Sequence, residues 1–147
     1  MFGNYNKNVD HWLDMRWDAP ASMLLDVGVA PAGSQRRRGI TQWGAHILTP
    51  ESENSTLYFW ASVRDFGLDD DEMDMQIRGA IEAAFGDEDK PMIEDVQRNM
   101  GGKSFEDMGP LLLPFDKGGV LARRVLTDLI AGKKQLLPTT ARAVVAG

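Results

Sequence analysis

The hydrophobic period changes once along this chain of 147 residues, and that change limits the fold. Up to about residue 65 apolar side chains recur at every second position; beyond Phe66-Gly67-Leu68 they recur every third or fourth. Around Ser22 to Val29, Met23, Leu25, Val27 and Val29 share one face, while Ser22, Asp26 and Gly28 share the other. Leu24 interrupts the polar row, as on a strand covered on both sides. Pro31-Ala32-Gly33-Ser34 ends it with turn chemistry. Further strands are predicted over about Ile40 to Leu48 and Thr56 to Arg64, joined by a hairpin connection at Thr49 to Ser55. In the last, Leu57, Phe59, Ala61 and Val63 alternate with Thr56, Tyr58, Trp60 and Ser62. Large groups in both rows predict a central strand or one packed on both sides.

The second half reads as helix. Asp69, Asp70, Asp71 and Glu72 bring negative charge to a helix N-terminus. An apolar stripe runs Met73, Ile77, Ile81, Ala84/Phe85, Met92, Val96 and Met100, and Gly101-Gly102 stops it. Asp116 is placed to N-cap a last helix that packs through Val120, Leu121, Val125 and Leu129. Residues 137–147 read as a flexible tail. Strands first and helices after them give an α+β fold, an antiparallel sheet packed against a long C-terminal helix. Three strands are thin cover for such a helix, so a complete version is expected to have more.

Composition narrows the chemistry. The chain has no cysteine and two histidines, His11 and His46. Disulfides, a cysteine nucleophile and thiolate-held zinc or iron–sulfur clusters are excluded within it. A reducing cytoplasm is the default compartment. A net charge of −6 is a poor match for nucleic acid or an anionic membrane, and no run approaches the roughly 18 apolar residues of a membrane span.

One feature departs from the packing pattern. Between Phe85 and Met92 the stripe positions fall on Glu88 and Asp89. A carboxylate facing a core costs several kcal/mol in effective desolvation unless it is paired or bound to a cation. Pro91 cannot donate to the carbonyl of Asp87, and its ring clashes there, so a kink is expected. Two readings stay open: a solvated junction between two helices with Asp87 or Asp89 as N-cap, or a carboxylate metal ligand. His46, on an otherwise apolar strand, is either a hydrogen-bonded packing residue or a donor to a bound anion. Arg36, Arg37 and Arg38 read as a solvated loop, and His11 as structural or exposed.

The segments Trp17-Asp18-Ala19-Pro20, His46-Ile47-Leu48-Thr49-Pro50-Glu51, Tyr58-Phe59-Trp60 and Glu88-Asp89-Lys90 resemble a known family. They are similar to the C-terminal part of the oxygenase component of Rieske non-haem iron oxygenases, in the branch of vanillate and dicamba O-demethylases. The likeness runs from about Asp10 to Ile130. It implies a partial helix-grip, START-like catalytic domain over residues 1–136, with the Rieske domain absent from this chain. It implies that Asp89 is the carboxylate of a two-histidine, one-carboxylate Fe(II) site, so that one of three ligands is present. It implies that His46 holds the substrate and that Leu25 and Val27 line its pocket, packing on an aromatic ring. The two iron histidines, in an Asp-x-x-His-x-x-x-x-His pattern, and the two cysteines and two histidines of the 2Fe–2S Rieske cluster are missing, and both groups are expected in an absent N-terminal half.

The activity implied is O₂-dependent oxidative O-demethylation of a methoxylated aromatic acid. An NAD(P)H-dependent reductase supplies electrons, a methoxy carbon is hydroxylated, and the hemiacetal loses formaldehyde. The family's oxygenases are commonly homotrimers. Two other readings stand beside this one. The first is a stand-alone helix-grip module that binds a small molecule without redox activity. The second is an interaction remnant that pairs through an unmatched sheet edge.

Overall fold

The computed structural model describes residues 8–133 and the backbone of 140–146. The chain divides into two compact units: a sheet unit of Phe2–Phe66 with Leu113–Gly147, and a helical unit, Gly67–Leu112.

The sheet unit contains β1 (Val9–Asp18), β2 (Ser22–Pro31), β3 (Ile40–Pro50), β4 (Thr56–Arg64), helix α3 (Lys117–Ile130) and β5 (Thr140–Ala146). The strands form one antiparallel sheet in the order β4-β3-β2-β1-β5. The α+β class and the three predicted strands are as expected from the alternation. Two strands are additional. β1 alternates as well, with His11, Leu13, Met15 and Trp17 against Asp10, Asp14, Arg16 and Asp18, and only Trp12 interrupts its polar row. Residues 140–146, inside the expected tail, pair with β1 as β5; residues 134–139 and 147 lie outside the described residues.

The register fixes which side chains share a face. Met23, Leu25 and Val27 stand opposite His46, Gly44 and Gln42 on β3. They stand opposite Trp17, Met15 and Leu13 on β1. Trp60, Ser62 and Arg64 on β4 continue the row. The other face carries Trp12, Asp14, Leu24, Asp26, Gly28, Trp43, Ile47, Phe59 and Val63. The apolar core of the sheet unit is small: Trp12, Val29, Ala30 and, on α3, Val125 are buried. α3 lies against β5. Asp116 does not cap α3 through its side chain. Its carboxylate instead accepts from the Leu113 N–H, closing the short 3-10 turn before the helix.

β4 corrects the expectation of a doubly packed strand. It is an edge strand among the described residues, and Leu57, Phe59 and Val63 are exposed. Its two apolar rows carry the composition of a covered strand, but the sheet unit supplies no cover for that face.

The helical unit holds α1 (Asp71–Glu82), a π-helical segment Ala83–Asp89, and α2 (Lys90–Met100). The Asp70 carboxylate caps α1 by accepting from Met73 N–H at 3.0 Å. Gly101, with φ +59°, ends α2 in the left-handed region that glycine enters without steric cost. Pro91 produces a widened turn where the sequence predicts a kink. Lys90 N–H bonds to Phe85 O, five residues back. Inserting one residue in the turn in this way relieves the clash between a proline ring and the carbonyl four positions earlier.

Candidate functional site

The sheet face that carries Leu25 and Val27 also carries His46. On β3 the backbone alternates, leaving Ile47 half exposed and turning His46 inward, where it is 6% exposed. The His46 Nδ1 and the Tyr58 hydroxyl are 2.5 Å apart, and the two rings stack at 16° with centroids 5.9 Å apart. Tyr58 faces Leu48 across the β3–β4 ladder, so it reaches His46 diagonally. Burial pushes the imidazole pKa below its ordinary value of 6.5, because desolvation penalises the charged form. The ring is therefore neutral at pH 7, with one N–H donor and one acceptor nitrogen.

Gly44 shapes the space beside it. A Cβ at position 44 would come within 3.1 Å of His46 Nε2 and 3.6 Å of Leu25 Cβ. The imidazole and Leu25 thus pack into the space that a side chain at position 44 would need. Two positions from it lies Gln42, buried opposite Val27, whose Nε2 donates to Ser62 Oγ at 2.8 Å. The sheet brings His46, Leu25 and Val27 together on one face and adds Gln42, Tyr58 and Ser62, which sequence reading did not assign. The signal for Tyr58 was present in the alternation of β4. What selects it is the hairpin register, which sequence alone did not fix.

The opposite face is built differently. Asp14 is 3% exposed and accepts from Arg36 Nη1 at 2.7 Å. The Arg36 guanidinium also sits 5.0 Å from the centre of the Trp12 ring, and Trp12 Nε1 donates to Asp26 at 2.8 Å. Donating to the Asp14 carboxylate raises the Arg36 pKa further. Arg36 is thus a structural counter-charge, where the sequence predicts a solvated loop. The Trp12 ring lies over Gly28, where a Cβ would approach its Cζ2 to 2.3 Å.

Asp89 belongs to the helical unit. It is exposed at the end of the π-helical segment and makes no capping hydrogen bond through its side chain. The inward-facing carboxylate that the stripe predicted is not seen within this unit, and neither is its N-cap alternative at Asp89. His11 is exposed on β1. Among the described residues no group of three or more histidine, aspartate and glutamate side chains is arranged to hold a metal ion. No helix among them is long and apolar enough to cross a membrane.

The profile of the vanillate O-demethylase oxygenase C-terminal domain matches residues 1–132. The chain is 43% identical over 128 residues to the oxygenase component of a chloroacetanilide N-alkylformylase from Rhizorhabdus wittichii, covering 87% of this chain and 37% of that protein. It is 38% identical to the dicamba O-demethylase oxygenase component of Stenotrophomonas maltophilia, covering 84% of this chain and 37% of that one. A crystal structure of dicamba monooxygenase with non-haem iron and dicamba superposes with a TM-score of 0.72 at 36% identity, over 88% of this chain and 40% of that one. The chain therefore spans less than half the length of the relatives it matches.

Proposed function

The chain belongs to the vanillate O-demethylase oxygenase C-terminal domain family, and from that premise we propose that it is the C-terminal part of an oxygenase subunit that removes a methyl group oxidatively from a methoxylated aromatic acid. Residues 1–136 are then one part of its catalytic domain. The observation that carries the reading is the face shared by His46, Leu25 and Val27. His46 holds an oxygen of the substrate by hydrogen bonding, and Leu25 and Val27 pack on its ring. Holding the methoxy carbon in near-attack geometry is worth several kcal/mol of barrier.

Iron fits this chain only in part. Asp89 offers one exposed carboxylate, a suitable oxygen donor for Fe(II), but the described residues do not make a complete site. In this reading Asp89 is one ligand, and the two histidines and the Rieske cluster belong to the portion of the relatives' length that this chain does not span. When bound, the iron supplies open coordination positions for O₂. An NAD(P)H-dependent reductase, a homotrimeric assembly and a cytoplasmic location complete the proposal; the relatives named as oxygenase components support the need for an electron-supplying partner.

The test is expression of the full open reading frame that contains this chain, with a reductase, NADH and 3-methoxybenzoate. Formaldehyde release, lost together with bound iron in Asp89→Ala, is the expected result. Binding of the aromatic acid that is indifferent to Fe(II) and to Asp89→Ala, without formaldehyde, would overturn it. The stand-alone binding module would take its place.

A further inference from the structure

We propose that the face of α2 formed by Met92, Ile93 and Val96 is where the part of the subunit outside this chain docks, and that the segment seated there brings the remaining iron ligands to Asp89. The inference rests on the reading of Asp89 as one ligand of an iron site, and it adds the surface on which that site is assembled.

Asp89 has helical backbone angles, φ −70° and ψ −46°, so it continues the turn of α2 that follows it. Residues three, four and seven places beyond a helical position share its face. From Asp89 those places are Met92, Ile93 and Val96. They are 65%, 67% and 54% exposed, and Asp89 is exposed with them. The reverse of the helix is polar: Lys90 pairs with Glu94 at 3.9 Å, and Arg98 pairs with Asp95. α2 is therefore amphipathic, with its apolar side uncovered among the described residues and the acid at one end of that side. An apolar helix face of this kind gains stability only when something covers it.

Coordination chemistry identifies what covers it. The ligands of one ion converge on it, so a segment that completes a site at Asp89 has to lie against α2 beside that residue. A second copy of this chain does not bring the two imidazoles required. Its histidines are His11 and His46. His46 is buried with Nδ1 against the Tyr58 hydroxyl, which leaves His11, one imidazole short. The relatives are more than twice as long as the portion this chain matches, so the subunit has the chain length to supply the segment. That segment is apolar along the side that covers Met92, Ile93 and Val96, and it carries histidine nitrogen at the end next to Asp89.

Apolar cover does not wait for iron, so the test is made on the metal-free product of the full open reading frame. In Ile93→p-benzoylphenylalanine an apolar photo-crosslinker replaces the isoleucine, and crosslinked peptides are mapped by mass spectrometry. The expected result is a crosslink at monomer mass to a histidine-containing peptide outside residues 1–147. A crosslink only within those residues, or one at dimer mass, overturns the proposal. Oxidation of Met92 by hydrogen peroxide in the wild type gives an answer that does not depend on the variant folding. Met92 is expected to form sulfoxide about tenfold more slowly in the native protein than in urea; equal rates overturn the proposal.

Iron content after reconstitution, in the wild type and in Asp89→Ala, separates this inference from the one beneath it. A crosslink and a protected Met92 in a protein that takes up no iron would overturn the reading of Asp89 and leave the docking surface standing. Iron bound through Asp89, with Met92 oxidised as fast as in urea, would overturn the docking surface and leave the iron reading intact.

Discussion

The two faces of the sheet solve one problem in opposite ways. Each buries a polar side chain beside an aromatic ring. On one face Asp14 keeps its charge and is matched by Arg36, which also lies over Trp12. On the other, His46 loses its charge and is matched by the neutral hydroxyl of Tyr58. A buried charge must be compensated wherever it sits, so the first arrangement is rigid and serves the fold. A buried neutral ring needs only a hydrogen-bond partner, which the second arrangement finds in Tyr58.

The comparison breaks most readily at Arg36. Arg36→Ala removes the guanidinium that the buried Asp14 carboxylate accepts from and should cost about 2–3 kcal/mol in urea unfolding, a figure kept low because Arg36 is half exposed. Arg36→Lys should recover little of it, since an ammonium does not reproduce the planar stacking on Trp12. Gly28→Ala on the same face should cost about 1–3 kcal/mol, because the new methyl meets the Trp12 ring and the Ile40 carbonyl oxygen. A shift in Trp12 fluorescence would report the displaced ring.

On the His46 face the effect is a slope rather than a step. The native ring has a lowered pKa and the unfolded ring an ordinary one near 6.5. The unfolded state therefore binds more protons as pH falls below that value. Stability is full above about pH 6.5, declines as pH drops from there towards the lower native value, and levels off below it. Unfolding midpoints measured from pH 7.5 to 5 should show this decline in the wild type and a weaker one in His46→Gln. The smallest effect is expected at Asp89. Asp89→Asn should change unfolding free energy by less than about 0.5 kcal/mol, as for other exposed positions without a cap bond. A larger loss would mean that the acid has a structural role in the helical unit.

Alternation made three strands and their faces legible, including the row that joins Leu25 and Val27. The helical stripe made α1, α2 and α3 legible. β1 carries the same alternation, Leu13, Met15 and Trp17 against Asp14, Arg16 and Asp18; what blurs it is Trp12, an apolar ring in the polar row that lies over Gly28. Arg36 was misread because its partner lies 22 residues away, across a pairing that sequence spacing does not reveal. His46 was visible as an odd residue on an apolar strand, whereas Tyr58 became visible only once the β3–β4 register was fixed. The acid at position 89 stood out as a gap in the stripe, but the π-helical segment adds a residue there and breaks the simple count.

That widened turn has a consequence for how the gene can vary. An α-helix advances about 100° per residue. Losing a single codon between positions 83 and 89 would let the turn revert to ordinary geometry, and because the residue lost is the one the widened turn absorbs, α2 would keep its rotation relative to α1. Losing a second would rotate α2 by that angle, and Met92, Val96 and Met100 would then leave the line of Met73, Ile77 and Ile81. In the exposed hairpin connection between β3 and β4 either deletion would only shorten a loop. Length should therefore vary by no more than one residue across 83–89 in sequences that keep this helix pair, and should drift freely between positions 51 and 55.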